Sequence, residues 1–374
     1  MAVKQRQDDY FAITLPGLEE ICAAELEQIG IASPRPVPGG VEFSGPLRTL
    51  YLANLWSRTA TRVVVRVGDV AARDFPALYR KVVRLPWGRY LRPDDELDVR
   101  VSCQRSRLGH SGRVAETVSE AVGHALGTTA TGTGRARVLV RMEDDRCYLS
   151  VDSSGELLHR RGYRHSPVAA PLRETLAAAI LMTLGWRGES PLVDAMAGSG
   201  TFVIEAALIA CRRPPGRNRR FAFMDWPGYR SGVWNLLLQD ADRQQRAVPC
   251  VLQGSDIDDK AIVAAIDNAK RAGVADFVNF TAQPMQQLQP PADSGLILCN
   301  PPYGERIGTK SGLSELYREL GELYTGSFAQ WQSAMLCPCS EIDRVADLNW
   351  HNRLVFSNGG VKVALLERTR VETT

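Results

Sequence analysis

The chain has 374 residues, of which 44% are hydrophobic and 23% are charged, and its formal net charge is +3. This length is too great for one compact core and predicts two or three domains. The composition is ordinary for a soluble globular protein and excludes a disordered or fibrous chain, whereas so small a net charge says little about partners.

Targeting and metal signals are weak throughout the sequence. Residues 1–9 lack the apolar core of a signal peptide, and no stretch reaches about eighteen consecutive apolar residues. The eight cysteines include no C-x-x-C pair. Cys337 and Cys339 form a close pair, which could be a metal or redox site or two strand-end residues in a reducing environment. We predict a cytoplasmic protein without a metal site or a membrane span.

The first 154 residues are predicted to contain two α+β modules. Residues 1–66 begin with a short strand and an amphipathic helix, on which Glu25 is expected to face water. Residues 67–154 repeat the mixture of helices and strands, and they end in two strands joined by the turn 143–146. The basic and aromatic segment 155–171 is predicted to be a linker.

From residue 172 to residue 374 the pattern changes to alternating helices and strands. Predicted strands at 191–194, 251–256 and 296–299 are separated by helical periodicity, which predicts an α/β fold with a parallel sheet. Near the end, Asn358-Gly359-Gly360 lies between two apolar runs and predicts an antiparallel hairpin.

A glycine-rich turn follows the first strand of this α/β region. Gly198 and Gly200 allow close backbone approach and positive φ, and the helix that follows offers unpaired N–H groups. The spacing is not G-x-G-x-x-G, and Asp194 would repel a pyrophosphate, whereas it suits the cationic end of S-adenosylmethionine. The expected cofactor-binding residues of this turn are Asp194, Met196, Ala197, Gly198, Ser199, Gly200 and Thr201.

A second cofactor motif follows the next strand. Asp256 is suited to accept hydrogen bonds from ribose hydroxyls, and Ile257 follows it directly. Together with the glycine-rich turn, these two residues predict a binding site for S-adenosylmethionine at the carboxyl edge of the sheet.

Asn300, Pro301, Pro302 and Tyr303 follow the buried strand 296–299 and form the predicted catalytic motif. An exocyclic amine is a poor nucleophile because its lone pair is delocalised into the ring. The Asn300 side-chain carbonyl and the Pro301 backbone carbonyl can each accept one N–H of that amine, which orients the nitrogen. Tyr303 offers a face for stacking an extruded base. An ordinary proline-rich loop is the structural alternative for this motif.

Together these motifs resemble the THUMP-domain guanine-N2 RNA methyltransferases, in particular the large-subunit ribosomal RNA type, RlmL, and next the related tRNA guanine-N2 enzymes. The resemblance covers essentially the whole chain. Its matching stretches are residues 15–19, 161–164, 170–179, 194–201, 254–258 and 300–306.

The resemblance implies a Rossmann-like class I methyltransferase domain at 172–374, preceded by a ferredoxin-like module at 1–66 and an RNA-binding THUMP domain at 67–154. It also implies that Asn300 takes part in the cofactor site as well as in catalysis. Where relatives carry an acid after the third strand, this chain has Gln283 and Pro284. Gln283 is therefore the expected polar contact near the adenine. The second methyltransferase domain of the fused form is absent from this sequence, so a single activity is expected.

The predicted function is methyl transfer from S-adenosylmethionine to guanine N2 in RNA, with 23S ribosomal RNA as the expected substrate and transfer RNA as an alternative. An adenine-N6 DNA methyltransferase is a second alternative, because N-P-P-Y also serves that chemistry. The Gly304-Glu305-Arg306 continuation and the RNA-binding front half disfavour it. A non-enzymatic RNA-binding or ribosome-assembly factor is a third. The sequence carries no signal for an oligomeric state.

Two further segments could contact RNA. Residues 212–248 hold eight arginines interleaved with aromatic residues, which suit phosphates and unstacked bases, or else pack against the sheet. The arginines of 100–113 could form an RNA-facing surface or a solvated basic face. The cations of 159–165 could touch RNA between domains or only cap the domain interface.

Overall fold

The computed structural model of the protein describes residues 7–127, 136–164, 172–302, 310–343, 350–358 and 360–368. Within these residues the chain forms two compact units, each built on a seven-stranded sheet. Unit 1 contains the described parts of 1–15, 22–158 and 218–240, and unit 2 contains those of 16–21, 159–217 and 241–374.

The helices and strands up to residue 158 alternate in short α+β groups, as the sequence predicts. They are β1 (Asp8–Ile13), α1 (Glu19–Gln28), β2 (Arg35–Val37), β3 (Gly40–Gly45), α2 (Leu47–Trp56), β4 (Arg62–Ala71), α3 (Phe75–Val82), β5 (Leu97–Gln104), α4 (Ser111–Leu126), β6 (Ala136–Glu143) and β7 (Arg146–Asp152).

The sheet of unit 1 runs in the order β2-β3-β1-β4-β7-β6-β5. Successive residues of a strand point to opposite faces, so Val63 and Val65 of β4 enter the apolar core on one side. The predicted strand pair β6–β7 is confirmed, with Glu143 opposite Arg146. The turn between them places Asp144 and Asp145 in the left-handed region, at φ of 50° and 61°, which is typical of a two-residue hairpin.

Glu25 is buried, and the prediction that it faces water is wrong. Its carboxylate accepts hydrogen bonds from the Arg58 N–H (2.5 Å), from the Thr59 N–H (3.1 Å) and hydroxyl (2.6 Å), and from the Ser57 hydroxyl (3.1 Å). The helical pattern around Glu25 carries no sign of this loop, which lies more than thirty residues further along the chain. Four donors compensate the loss of solvation and make burial of the carboxylate tolerable.

The aromatic residues of 218–240 pack within unit 1, although this segment follows the first helix of the α/β region in sequence. The Phe223 ring stacks on the Tyr51 ring of α2 with centroids 4.4 Å apart, and Trp234 meets the same ring edge-on at 6.0 Å. Phe221, Phe223 and Trp234 are buried. The alternative that these aromatic rings pack within the protein is therefore confirmed. They pack on the Tyr51 side chain of α2 rather than on the sheet.

Several arginines of the same segment bond to nearby protein groups. Arg219 donates to the backbone carbonyls of Glu156 and Leu157, at 2.8 Å each. Arg220 forms an ion pair with Asp225 at 2.5 Å. The Arg219 contacts hold the segment to the 156–157 backbone, and the Arg220 pair lies within the segment, so these two arginines have a structural role.

The helices and strands from residue 159 onward form the α/β part of the chain. They are α5 (Glu174–Thr183), β8 (Leu192–Asp194), α6 (Thr201–Ala210), α7 (Ser231–Gln244), β9 (Leu252–Asp256), α8 (Asp259–Ala272), β10 (Asn279–Ala282), β11 (Leu296–Cys299), α9 (Lys310–Thr325), β12 (Gln332–Pro338), β13 (His351–Asn358) and β14 (Val361–Arg368).

The sheet of unit 2 runs in the order β10-β9-β8-β11-β12-β14-β13. Its first five strands are parallel, and β14 lies antiparallel between β12 and β13. The predicted hairpin is confirmed, with Asn358 opposite Val361. The expected α/β fold, preceded by α+β modules, is thus confirmed, and α-helices lie between β8 and β9, between β9 and β10, and between β11 and β12.

No helix among the described residues is long and apolar enough to cross a membrane. In the same residues, the structure brings together no group of three or more histidine, cysteine or acidic side chains that could hold a metal ion.

Replacement of Glu25 tests whether its hydrogen bonds support unit 1. We expect Glu25→Ala to lower the free energy of unfolding by about 2–4 kcal/mol, because it leaves buried donors of the 57–59 loop without an acceptor. Glu27→Ala, at an exposed position of the same helix, is the control and should change stability by less than about 0.5 kcal/mol. Calorimetric unfolding of both variants measures the difference, and equal effects would contradict the assigned role.

Candidate active site

Three loops meet at the carboxyl edge of the parallel sheet of unit 2. In the strand register, Asp194 at the end of β8 lies opposite Gly254 of β9 on one side and Leu298 of β11 on the other. Asp256 and Asn300 each follow those partners by two residues. The structure thus brings the two predicted cofactor motifs and the start of the catalytic motif to one edge, where open α/β sheets bind ligands.

Asp194 is buried, with only 1% of its surface exposed. Its carboxylate accepts one hydrogen bond from the Met196 N–H at 3.1 Å. Burial raises the pKa of Asp194 to about 8, and repulsion from Asp256 adds to this effect. A cation beside this carboxyl would offset the cost of its burial, so the site favours a positively charged group of a ligand.

The glycine-rich turn is held to the β9 loop through its backbone. The Gly198 N–H donates to the Asp256 carboxylate at 2.8 Å, and the Ala197 N–H donates to the Ser255 carbonyl at 2.8 Å. Both glycines adopt the predicted positive φ, 51° at Gly198 and 82° at Gly200. A Cβ on Gly200 would lie 2.8 Å from the Phe280 ring, so only glycine fits there.

Ile257 and Gln283 flank Asp256 at the same edge. The Asp256 carboxylate accepts the Gly198 and Asp258 N–H groups, at 2.8 and 3.0 Å, which leaves acceptor positions for further donors. Ile257 is apolar yet 76% exposed. The Gln283 N–H donates to the Asp256 carbonyl at 3.0 Å, which places Gln283 at the end of β10 beside this group. An exposed apolar side chain between polar groups fits a flat heterocycle with a hydroxylated sugar.

Asn300 presents an unpaired acceptor. Its side-chain Oδ1 is buried and has no hydrogen-bond partner among the described residues. Pro301 is buried and Pro302 half-buried, and neither has an N–H that could compete for this oxygen. A buried carbonyl oxygen without a donor is costly unless a ligand supplies one. Tyr303 lies outside the described residues, and its stacking role remains a prediction.

Beneath Asn300, the Cys299 side chain is packed in the core. Its sulfur lies 3.0 Å from the Tyr324 hydroxyl of α9. Burial raises the pKa of the Cys299 thiol well above its usual range, so the thiol keeps its proton and is unsuited to act as a nucleophile. Cys337 is likewise buried in β12 and its thiol pKa is raised by burial to about 11. Cys299 and Cys337 are therefore core residues, which for Cys337 favours the interpretation as a strand-end residue.

The sequence did not predict the polar network behind the glycine-rich turn. Arg164 donates to the Thr201 hydroxyl at 2.6 Å, at the first turn of α6. The Tyr163 hydroxyl donates to Glu205 of α6 at 3.2 Å, and the Arg161 guanidinium lies 3.6 Å from the same carboxylate. Two of the basic residues assigned to the linker therefore point into unit 2 and brace the helix that follows the turn.

The same network reaches the other side of the turn. The Asn268 side chain of α8 donates to the Ser199 carbonyl at 3.0 Å, and Arg271 donates to Asn268 at 2.7 Å and to the Tyr163 carbonyl at 2.7 Å. The Arg-Gly-Tyr-Arg stretch at 161–164 was the available sequence signal, but it did not indicate these partners.

Three family models match successive parts of the chain. Residues 9–64 match the RlmL ferredoxin-like domain, residues 72–152 match the THUMP domain, and residues 161–362 match the RMKL-like methyltransferase domain. The third match alone includes more than half of the chain.

Curated relatives are similar over nearly the whole chain. A Synechocystis sp. protein provisionally named an RNA methyltransferase is 34% identical over 96% of each chain. The ribosomal RNA large subunit methyltransferase K/L of Syntrophotalea carbinolica is 36% identical over 96% of this chain, which spans 53% of that protein. The chain therefore spans about half the length of the K/L relatives.

Solved structures are similar to this chain over nearly its whole length. A protein provisionally named a methyltransferase, SMU.472, was solved with SAH; it has a TM-score of 0.89 at 27% identity and covers 99% of this chain and 100% of its own. A Listeria monocytogenes protein provisionally named an N6-adenine-specific DNA methylase has a TM-score of 0.88 at 30% identity, covering 98% of this chain and 97% of its own.

The two glycines of the turn provide a matched test of its geometry. Gly200→Ala should lower the free energy of unfolding by about 1–3 kcal/mol, because backbone strain at positive φ and steric overlap with Phe280 both destabilise the folded state. Gly198→Ala should cost about 1 kcal/mol from φ alone, since its Cβ would meet no described atom within 4 Å. Denaturant unfolding of both variants measures the difference. A larger loss for Gly198→Ala than for Gly200→Ala would contradict this geometry of the turn.

Proposed function

The chain belongs to the RMKL-like methyltransferase family, and from this premise we propose that it methylates the N2 amine of a guanine in 23S ribosomal RNA. At the coarser level, it is an S-adenosylmethionine-dependent RNA methyltransferase of the RlmKL type.

The residues at the edge of the unit 2 sheet fit S-adenosylmethionine. Asp194 is a buried carboxyl suited to the ammonium of the methionine part, and Asp256 retains acceptor capacity for ribose hydroxyls. Ile257 offers an exposed apolar side chain for the adenine, and Gln283 adds a polar side chain near it. The methyltransferase family match and the neighbour solved with SAH confirm the predicted cofactor.

The buried, unpaired Oδ1 of Asn300 is the observation that carries the proposed chemistry. When bound, S-adenosylmethionine supplies an electrophilic methyl group. Asn300 accepts one N–H of the exocyclic amine and the Pro301 carbonyl accepts the other, which orients the nitrogen lone pair toward the methyl carbon. The methyl–sulfur bond would break, with its electron pair left on sulfur, as the methyl–nitrogen bond forms. The nitrogen then gives its extra proton to solvent water, which restores the neutral amine. Tyr303 is proposed to stack on the base.

Guanine N2 in ribosomal RNA is favoured by three lines of support. The resemblance of the 300–306 motif is to guanine-N2 enzymes, and the front of the chain matches a THUMP domain. The K/L relatives are named for large-subunit ribosomal RNA. Such a substrate also agrees with the predicted cytoplasmic location.

Adenine N6 in DNA is the second candidate. An Asn300 carbonyl would accept an N–H of adenine as well as one of guanine, and the Listeria neighbour bears a name of that class. The THUMP match argues for RNA instead.

Methyl transfer to total RNA and to genomic DNA, each with labelled S-adenosylmethionine, tests the proposed function. We expect label in RNA only, recovered as N2-methylguanosine after digestion to nucleosides. Asn300→Ala should lower the transfer rate at least about a hundredfold, because the amine loses a positioning acceptor, while cofactor affinity stays within about twofold.

Asn352→Ala, at an exposed asparagine of β13, is the matched control and should retain full activity. Label in DNA alone would overturn the proposed substrate. An active Asn300→Ala protein would overturn the assigned role of the motif.

Asp194 should make cofactor binding release a proton. Because the pKa of Asp194 is raised to about 8 in the free protein, its carboxyl is mostly protonated at pH 6–7, where the ligand amine is still an ammonium. Binding favours the carboxylate, so affinity should rise with pH in this window, by at most about tenfold per unit. Titration calorimetry in buffers of different ionisation enthalpy measures the proton. Asp194→Asn should bind more weakly with no proton release, and proton release from that variant would contradict the assignment.

A further inference from the structure

A cavity of about 380 Å³ opens on the face of the unit 1 sheet opposite its apolar core. Its walls come from β1, β4, β5, β6 and β7, so both the segment matching the ferredoxin-like domain and the segment matching the THUMP domain contribute. The volume lies in the range of small-ligand pockets, about 300–1,000 Å³, and is too small for a folded partner.

The strand register explains why these side chains share a face. Arg66 of β4 lies opposite Ser150 of β7, and Tyr148 of β7 lies opposite Arg141 of β6. Directly opposite residues of neighbouring strands point to the same side of a sheet. Their chain neighbours Val65 and Leu149 point to the other side and are buried in the core.

The cavity is positively charged. Arg66, Arg100 and Arg141 line it, and the described residues that line it include no acid. Arg100 and Arg141 have acidic partners nearby, Asp98 at 2.6 Å and Glu143 at 3.4 Å. No carboxylate among the described residues lies within ion-pair distance of Arg66. Burial and the charge of Arg141 lower the pKa of Arg66, and the more distant Glu42 opposes them only in part. An anionic ligand would relieve this repulsion.

Two of the guanidinium groups lie over aromatic rings. The Arg66 guanidinium is 4.3 Å from the centroid of the Phe11 ring, and the Arg141 guanidinium is 4.9 Å from that of Tyr148. The Arg66 group is also fixed by donation to the Ser150 hydroxyl at 3.2 Å. A guanidinium that stacks on a ring with one face can stack on a nucleobase with the other.

We propose that this cavity binds one unpaired nucleotide of an RNA strand, with its base stacked on the Arg66 guanidinium and its phosphate near Arg100 and Arg141. Stacked planar groups, an apolar floor that includes Val64 and Leu139, and surplus positive charge suit a nucleotide. An acidic peptide would use the charge but not the planar surface.

Binding of a fluorescent single-stranded oligoadenylate to the full-length protein, without cofactor, tests this site by anisotropy. Loss of one stacked base should weaken binding about tenfold or more. We expect that loss for Arg66→Gln and equally for Arg66→Lys, because lysine keeps the charge but has no planar face. Arg80→Gln, at an exposed position of α3, removes a charge elsewhere in unit 1 and should change affinity less than about twofold.

An Arg66→Lys protein with wild-type affinity would overturn the stacked site. Displacement of the oligonucleotide by tripolyphosphate or by an acidic peptide, with the same efficiency as by unlabelled oligoadenylate, would also overturn it. Ultraviolet cross-linking of the wild-type protein gives a second measurement that does not depend on variant stability. The cross-link should map to the peptide containing Tyr148, and a cross-link confined to other peptides would contradict the proposal.

This inference rests on the proposed function only in taking RNA as the natural partner. Asn300→Ala should bind the oligoadenylate as the wild type does. If the protein methylates DNA but binds RNA through Arg66, the proposed function fails and this site stands; if it methylates RNA and Arg66→Lys binds normally, the reverse holds.

Discussion

The parallel register of β9, β8 and β11 is the constraint on which the chemistry of unit 2 depends. Because the three strands run in the same direction side by side, their carboxyl ends bring distant parts of the chain to one edge. Asp194 lies between the Asp256 and Asn300 loops for this reason alone. A shift of one residue in any of these strands would move its side chains to the opposite face of the sheet.

Hydrogen bonds then fix the glycine-rich turn. The backbone N–H groups of Ala197 and Gly198 bond to the β9 loop, and α6 is braced from behind by Arg164 and Tyr163. The turn therefore has its own supports on both sides before any ligand binds. Preorganised groups of this kind cost no rearrangement at the moment of reaction, which agrees with a site that works by orientation rather than by a reactive side chain.

The sequence predicted well those features that are local. The strands before the glycine-rich turn and before Asn300 are short segments with apolar residues, and positive φ at Gly198 and Gly200 follows from residue type. Contacts across long sequence separations were missed. The burial of Glu25 depends on a loop more than thirty residues away, and the polar network of Arg164 depends on α6. β10, at the edge of the sheet, has only four residues, which are too few for their alternation of polar and apolar side chains to mark a strand.

The place of residues 218–240 has a consequence for the order in which the protein can fold during synthesis. The aromatic rings that cover Tyr51 leave the ribosome only after residues 159–217, which belong to unit 2. Unit 1 is consequently incomplete while the first strand and helix of the next sheet are being made, although domains usually fold in chain order. Until residue 240 has emerged, a nascent chain exposes the apolar surface of α2 and offers a target for chaperones.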